Sequence, residues 1–123
     1  MQVANLGTFS ISLAVKNMQS SLSFYEALGF QVIDGGHVNS GFPDTEKSKW
    51  RILASQETKI GLFEGMFPEN ILTFYPPDVR AIQRDLKASG IPVLKEADET
   101  TQGPESIILE DPDGNRILLD QQS

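Results

Sequence analysis

The feature that most constrains this chain is an internal repetition with a constant offset. A helix-capping residue, a helix-terminating glycine and a strand valine each occur twice, 61 residues apart, since 78 less 17, 90 less 29 and 93 less 32 all give 61. The pairs are Asn17 and Asp78, Gly29 and Gly90, and Val32 and Val93. Such agreement indicates a duplicated structural unit rather than two unrelated halves.

The first copy predicts a strand, a helix and three more strands. Apolar and polar residues alternate over residues 9–16, which is the period of a half-buried strand. Asn17 can cap the helix that follows, and Gly29 can end it. The three later strands are predicted in the stretches FQVIDGG, WRILA and KIGLFEG.

The second copy repeats this order. NILTFYPPD predicts a strand, Asp78 a helix cap, and Gly90 the helix end, and the last three strands are predicted in IPVLKEA, SIILE and NRILLD. We therefore expect one α+β domain of two tandem βαβββ modules, at about residues 5–66 and 69–122. The modules would form a curved mixed sheet with helices on its outer face, and the concave face would suit a small ligand. Whether the halves pair within one chain or across two stays open.

Composition excludes several kinds of function. The 123 residues carry 10 Lys and Arg against 17 Asp and Glu, a formal charge of −7 that repels nucleic acid and anionic membranes. With no cysteine there is no disulfide, thiolate ligand or Cys nucleophile. The N-terminal MQVANLGTFS lacks the pattern of a signal peptide, and no apolar run is long enough to span a bilayer, so we expect a cytoplasmic protein.

Two stretches carry a resemblance to a known superfamily. LAVKNMQSSLSFYEALGFQV near the start and the hairpin ILEDPDGNRILLD near the end, together with the duplicated plan, resemble the vicinal oxygen chelate superfamily of glyoxalases, bleomycin-resistance proteins and extradiol dioxygenases. The resemblance spans nearly the whole chain. It implies the fold and says little about the reaction, because this superfamily carries many chemistries on one scaffold.

The resemblance also implies where metal ligands would stand. Superfamily enzymes hold a divalent metal through His, Gln or Glu on the first and last strands of each half. Those positions fall on Ser10, on Gly61 or Leu62, on Ile71 or Asn70, and on Leu118. The preferred residues offer almost none of the donors that zinc, iron, manganese or nickel requires. We therefore expect a member without the usual metal ligands and without a cofactor.

Seven residues are candidate ligand contacts. Strand parity places Thr73 and Tyr75 on the concave face, with Ser10 and Ser12 opposite them. Trp50 can stack on a flat or cationic ligand, although a rim or core position is an equal alternative. The full set is Ser10, Ser12, Trp50, Glu64, Thr73, Tyr75 and Leu118.

No residue is assigned a catalytic role. His37 is a candidate general base, but a solvated loop histidine is the favoured interpretation. Asp111 and Asp113 belong to a turn, and Asp120 shares the strand face of Leu118 and can reach the cavity mouth. Glu64 can anchor a cation or lie in solvent.

Three functions remain open. The first is a module that binds or sequesters a small organic molecule in a metal-free cavity. The second is a divergent lyase, isomerase or dioxygenase, and the third is a domain for protein contacts. Exposed strand edges and the superfamily resemblance both favour a homodimer, and we expect neither nucleic acid nor membrane as partner.

Overall fold

The computed structural model describes residues 5–123, and this range forms seven strands and two helices. They are β1 (Thr8–Val15), α1 (Met18–Ala27), β2 (Gln31–Gly35), β3 (Lys49–Ser55), β4 (Thr58–Glu64), β5 (Ile71–Tyr75), α2 (Val79–Ala88), β6 (Glu105–Glu110) and β7 (Arg116–Gln121). The predicted α+β class is confirmed. No helix within this range is long and apolar enough to cross a membrane. The chain divides into two compact units, Ser10–Asn70 and residues 5–9 with Ile71–Ser123.

In the unit Ser10–Asn70 the strand order is β2-β3-β4-β1. β2, β3 and β4 pair in antiparallel fashion, whereas β1 runs parallel to β4. Helix α1 packs Met18 against Leu53, Ile60 and Leu62, which form the buried core of this unit. Ile11, Leu13 and Val15 of β1 pack on the same core, so the even-numbered residues beside them face the other side of the sheet.

Helix α1 begins and ends at the residues that the sequence indicates. The side chain of Asn17 accepts a hydrogen bond from the Ser20 amide at 3.0 Å. Gly29 follows the last turn with φ +104°, a conformation that a residue with a Cβ rarely adopts. A second cap comes from β4, because Oε1 of Glu64 accepts a hydrogen bond from the Met18 amide at 2.6 Å.

The unit of residues 5–9 and Ile71–Ser123 has the strand order β5-β7-β6. β5 is parallel to β7, and β6 is antiparallel to it. Asp78 caps α2 by accepting from the Ala81 amide at 3.1 Å, as predicted. The buried core joins residues of α2, β6, β7 and the segment between α2 and β6, namely Val79, Ile82, Leu86, Ala97, Ile107, Leu109 and Leu119.

The strand predicted in IPVLKEA, residues 91–97, is wrong. This segment makes one isolated bridge, between Lys95 and Ile108. Pro92 has no amide proton to donate to a ladder. The amide group of Gln83 also binds the backbone of Ala97, accepting from its N–H at 2.7 Å and donating to its carbonyl at 3.2 Å. At Ala97 the side chain of Gln83 thus makes the backbone hydrogen bonds that a neighbouring strand would otherwise make.

Candidate functional site

One face of the Ser10–Asn70 sheet packs on α1, and the opposite face carries the predicted contacts Ser10, Ser12 and Trp50. Ser12 is the Cα partner of Gly61, and Trp50 is the partner of Phe63. Ser10 and Ser12 are buried, at 0% and 4% exposure, and Trp50 is partly exposed. Strand alternation therefore brings two hydroxyls, a glycine and two aromatic rings onto one surface.

Four aromatic side chains form what we call the aromatic layer: Phe42, Trp50, Phe63 and Phe67. The rings of Trp50 and Phe63 stack with centroids 6.4 Å apart and planes 9° apart. Phe42 meets Trp50 edge-on at 5.9 Å, and Phe67 is tilted against Phe63 at 5.2 Å. The indole N–H of Trp50 donates to the carbonyl oxygen of Phe42 at 2.7 Å, which fixes the plane of the indole ring.

The loop before β3 is held in place by an ion pair. Nη1 of Arg51 contacts both carboxylate oxygens of Asp44, at 3.1 and 2.8 Å, and Asp44 also accepts from the Trp50 amide at 3.3 Å. Both side chains are mostly buried, with 14% and 20% exposure. Because this pair anchors the loop beside β3, it positions Phe42 against Trp50.

In the second unit the predicted contacts Thr73 and Leu118 are neighbours on the face opposite α2. Thr73 is the Cα partner of Leu118, which in turn is the partner of Ile108. Two residues further along their strands, Tyr75 and Asp120 lie on the same face by alternation. This surface is apolar at Leu118 and polar towards Asp120.

Asp120 is a half-buried carboxylate at the polar end of that face. Its Cα partner on β6 is Ser106. Burial raises the pKa of Asp120, and the positive charge of Lys95 acts in the opposite direction. Nζ of Lys95 is hydrogen-bonded to Glu105 at 3.1 Å and to the carbonyl and hydroxyl oxygens of Ser106 at 2.8 and 3.0 Å. Backbone amides of Asp98 and Ser106, with Lys95, lower the pKa of Glu105 to about 2.

The amino-acid sequence matches the model of one protein family over most of its length. The family model described as Glyoxalase/Bleomycin resistance protein/Dioxygenase superfamily matches residues 7–119. The chain belongs to this superfamily. Comparison with curated proteins finds no significant match.

Several solved structures share this fold. A methylmalonyl-CoA epimerase variant from Streptomyces coelicolor, in complex with 2-nitronate-propionyl-CoA, is 20% identical, with a TM-score of 0.67 over 99% of each chain. A superfamily member from Vibrio splendidus 12B01 is 16% identical, with a TM-score of 0.66 over 94% of this chain and 98% of that one. A hypothetical protein from Bacillus halodurans C-125 is 16% identical, with a TM-score of 0.70 over 93% and 92% of the two chains. At these identities the likeness establishes the fold alone.

The positions where superfamily enzymes hold a metal do not fit one here. A Cβ built on Gly61 would lie 2.5 Å from Cε2 of Phe63, so an aromatic ring occupies the space of a ligand side chain. Leu118 lies between Thr73 and Ile108, and neither Leu nor Ile has a donor atom. At the alternative position Asn70, the side-chain oxygen already accepts from the Ala14 amide at 3.0 Å. Over residues 5–123 there is no cluster of three or more His, Cys, Asp or Glu that could hold a metal ion.

Glu64, a predicted ligand contact, and His37, which was expected in a solvated loop, both lie away from the sheet face opposite α1. Glu64 follows Phe63 on the strand and points to the α1 side, where it caps Met18 and pairs with Lys49 at 3.7 Å. His37 is exposed in the turn after β2. Sequence reasoning missed Phe42, since a loop residue has no strand parity, and it favoured a core or dimer contact for Phe67. The alternating apolar pattern gave no signal for either.

Proposed function

We propose that this superfamily member binds a small organic molecule without a metal ion, on the sheet faces opposite its helices. The observation that carries the proposal is the ring of Phe63, which lies over Gly61 at a metal-ligand position of the superfamily and stacks on Trp50. An aromatic surface of this kind favours flat apolar or cationic ligands. Ser10, Ser12, Thr73 and Tyr75 supply polar groups on these faces that can orient a ligand.

A melting screen tests this proposal. The chelator-treated protein is heated with flat aromatic compounds, with and without cationic groups, alongside Trp50→Ala and the surface control Phe24→Ala. Phe24 lies on α1 and is 60% exposed. A compound that stabilises the wild-type protein and the Phe24→Ala variant, but not Trp50→Ala, supports the proposal. If no compound in the panel raises the melting temperature, a domain for protein contacts becomes the better account.

A second candidate is a divergent isomerase, lyase or dioxygenase of the same superfamily. The observation in its favour is Asp120, whose raised pKa suits a group that takes up and releases protons near Ser106 and Tyr75. Deuterium exchange of methylmalonyl-CoA in heavy water, followed by NMR, tests one such reaction, chosen because a structural relative is an epimerase of that thioester. Exchange that is lost in Asp120→Asn would favour the enzyme over the binding module.

We also propose that the protein is a homodimer. Within its unit, β2 pairs with β3 on one side, and Ile33 on this strand is 57% exposed. An open strand edge with an exposed apolar residue favours pairing with a second copy. Light scattering at two concentrations tests this: a mass of twice 13.6 kDa supports it, and a mass of 13.6 kDa at both contradicts it.

A further inference from the structure

The hydroxyl of Ser10 is buried without a partner. Ser10 is 0% exposed, and within residues 5–123 no group forms a hydrogen bond with its Oγ. A buried hydroxyl that loses its bonds to water and gains none in return destabilises the fold, and native proteins pair nearly all such groups. The partner that this hydroxyl lacks therefore lies outside residues 5–123.

On the sheet face that carries Ser10, Gly61 has no side chain, and an aromatic ring fills the space above it. Ser12, two residues along on the same face, is the Cα partner of Gly61. A Cβ on Gly61 would lie 2.5 and 3.2 Å from two ring carbons of Phe63 and 3.3 Å from Cδ1 of Ile52. The ring of Phe63 thus lies directly on Gly61, in the space that a side chain at position 61 would occupy.

The ring of Phe63 packs against two other aromatic rings. It stacks on Trp50 at 6.4 Å and meets Phe67 at 5.2 Å, and it is partly exposed. Such contacts are not directional in the way of a hydrogen bond, so a rotation about χ1 can move the ring outwards. A ligand ring of similar size would then find the same stacking surface on Trp50, whose indole is fixed by its bond to Phe42.

We propose that Ser10, Gly61 and Phe63 form a closed subsite for an oxygen-substituted aromatic ring, of the phenol or aryl carbonyl class. The ring of the ligand replaces that of Phe63 against Trp50, and its oxygen forms a hydrogen bond with Oγ of Ser10. This inference rests on the proposed function, and it adds both the chemical class of the ligand and the side chain that moves. It also explains why a buried hydroxyl stays unpaired in the free protein.

Phenol and toluene are the probes, because they share a ring and differ in the oxygen. Their dissociation constants are measured by titration, with Trp50 fluorescence as the signal, for the wild-type protein, Phe63→Ala and the double variant Phe63→Ala with Ser10→Ala. Phe63→Ala empties a ring-sized space, as apolar cavities accept benzene-sized molecules. We expect the ratio of phenol to toluene affinity to fall about fivefold when Ser10→Ala is added, the loss of one hydrogen bond. Ser55→Ala, at the end of β3 on the α1 side, should leave the ratio unchanged.

Stability of Ser10→Ala provides a second readout. An unpaired hydroxyl contributes nothing, so the melting temperature of this variant should equal or exceed that of the wild-type protein. A clear fall in melting temperature would overturn the inference, since it would mean that Oγ already has a partner such as a trapped water molecule. Phe63→Leu, a smaller change, serves in the same titrations if Phe63→Ala does not fold.

The outcomes separate this inference from the proposed function. An affinity ratio that Ser10→Ala leaves unchanged overturns the subsite, while binding of both probes still supports an aromatic binding face. Failure of both probes to bind Phe63→Ala also overturns the subsite. In that case the melting screen of the wild-type protein decides the proposed function by itself.

Discussion

At the scale of single residues, two positions that hold metal ligands in superfamily enzymes carry no donor side chain here. Gly61 is the clearest example, because its missing side chain is what allows the ring of Phe63 to lie on the sheet. Leu118 is another, packed in register between a threonine and an isoleucine. The chemistry of these positions therefore differs from that of a metal site even though the backbone plan is the same.

Gly61→Ala should displace Phe63 and report the change through the single tryptophan. The new Cβ would lie 2.5 Å from a ring carbon, so the ring must move away from its stacking position on Trp50. We expect altered Trp50 fluorescence and a loss of roughly 1–3 kcal/mol in the free energy of unfolding, measured by urea titration. Gly41→Ala is the control, since a Cβ there meets only the side chain of Asn39, at 3.3 Å. Equal spectra for the wild-type protein and Gly61→Ala would refute the placement of the ring.

Leu118→Glu should not create a metal site. The substitution restores a carboxylate at the superfamily position, but Ser10, Gly61 and Ile71 still offer no further strong donor. A partly buried charge beside Ile108 should lower the free energy of unfolding by about 1–3 kcal/mol. Urea titration with and without nickel or zinc measures both effects. Stabilisation of this variant by a metal would show that other donors complete the site.

Asp120 and Glu105 should affect stability in opposite directions as pH changes. The pKa of Asp120 in the folded protein is raised above its ordinary value of 3.8. Its contribution to stability is therefore present at low pH and is lost as the pH rises from 3.8 through the raised pKa. The pKa of Glu105 is lowered from 4.5 to about 2, so its contribution grows as pH rises through 4.5 and is lost as pH falls towards 2. Urea titrations from pH 3 to 7 on Asp120→Asn and Glu105→Gln check this. At pH 7 we expect Asp120→Asn to be more stable than the wild-type protein, and Glu105→Gln to be less stable.

At the scale of elements, each helix is capped twice, once locally and once by the last strand of its unit. Glu64 accepts from the first amide of α1, and Gln121 at the end of β7 accepts from the first amide of α2 at 2.9 Å. Met18 and Val79 are themselves 61 residues apart. The duplication therefore extends to a contact that joins distant parts of each unit.

Glu64→Ala should destabilise the protein by about 1 kcal/mol, because it removes this second cap from α1. Glu64→Gln keeps an acceptor oxygen and should retain most of the stability, as Gln121 does at the other helix. Urea titration of the two variants measures the difference. If Glu64→Ala also abolished binding of a compound found in the screen, without unfolding the protein, Glu64 would belong to the binding site after all.

The elements that the sequence predicts correctly are those set by local pattern. The alternation in β1, the caps at Asn17 and Asp78, and the glycines at the helix ends depend on neighbours in the chain, and the structure contains all of them. Residues 91–97 were predicted wrongly as a strand, because they form only one bridge to β6 and the backbone of Ala97 binds the side chain of Gln83, a contact that alternation does not reveal.

The candidate site shows the same limit. Strand parity was enough to place Ser10, Ser12, Thr73 and Tyr75 on the faces away from the helices. It left two positions open for Trp50, and Leu118 was taken from the superfamily resemblance. Strand parity could not show that the Phe63 ring covers Gly61. Parity gives the face on which a side chain lies, whereas the direction in which the ring points along that face depends on packing. Phe42 was missed for the related reason that the Arg51 and Asp44 ion pair places its loop.

At the scale of the whole molecule, the central claim is binding of a small organic molecule without a metal ion. Superfamily membership over residues 7–119 establishes the scaffold, and the side chains on it determine the chemistry. The acidic charge of −7 favours a neutral or cationic ligand over an anionic one.

The most direct test is the melting shift given by the best compound of the screen, measured in chelator and again with nickel, zinc, manganese or iron(II). We expect the same shift in every sample, and no shift from a metal alone, because no metal takes part in the proposed binding. A shift that appears only when one metal ion is present, or stabilisation by that ion without the compound, would contradict it.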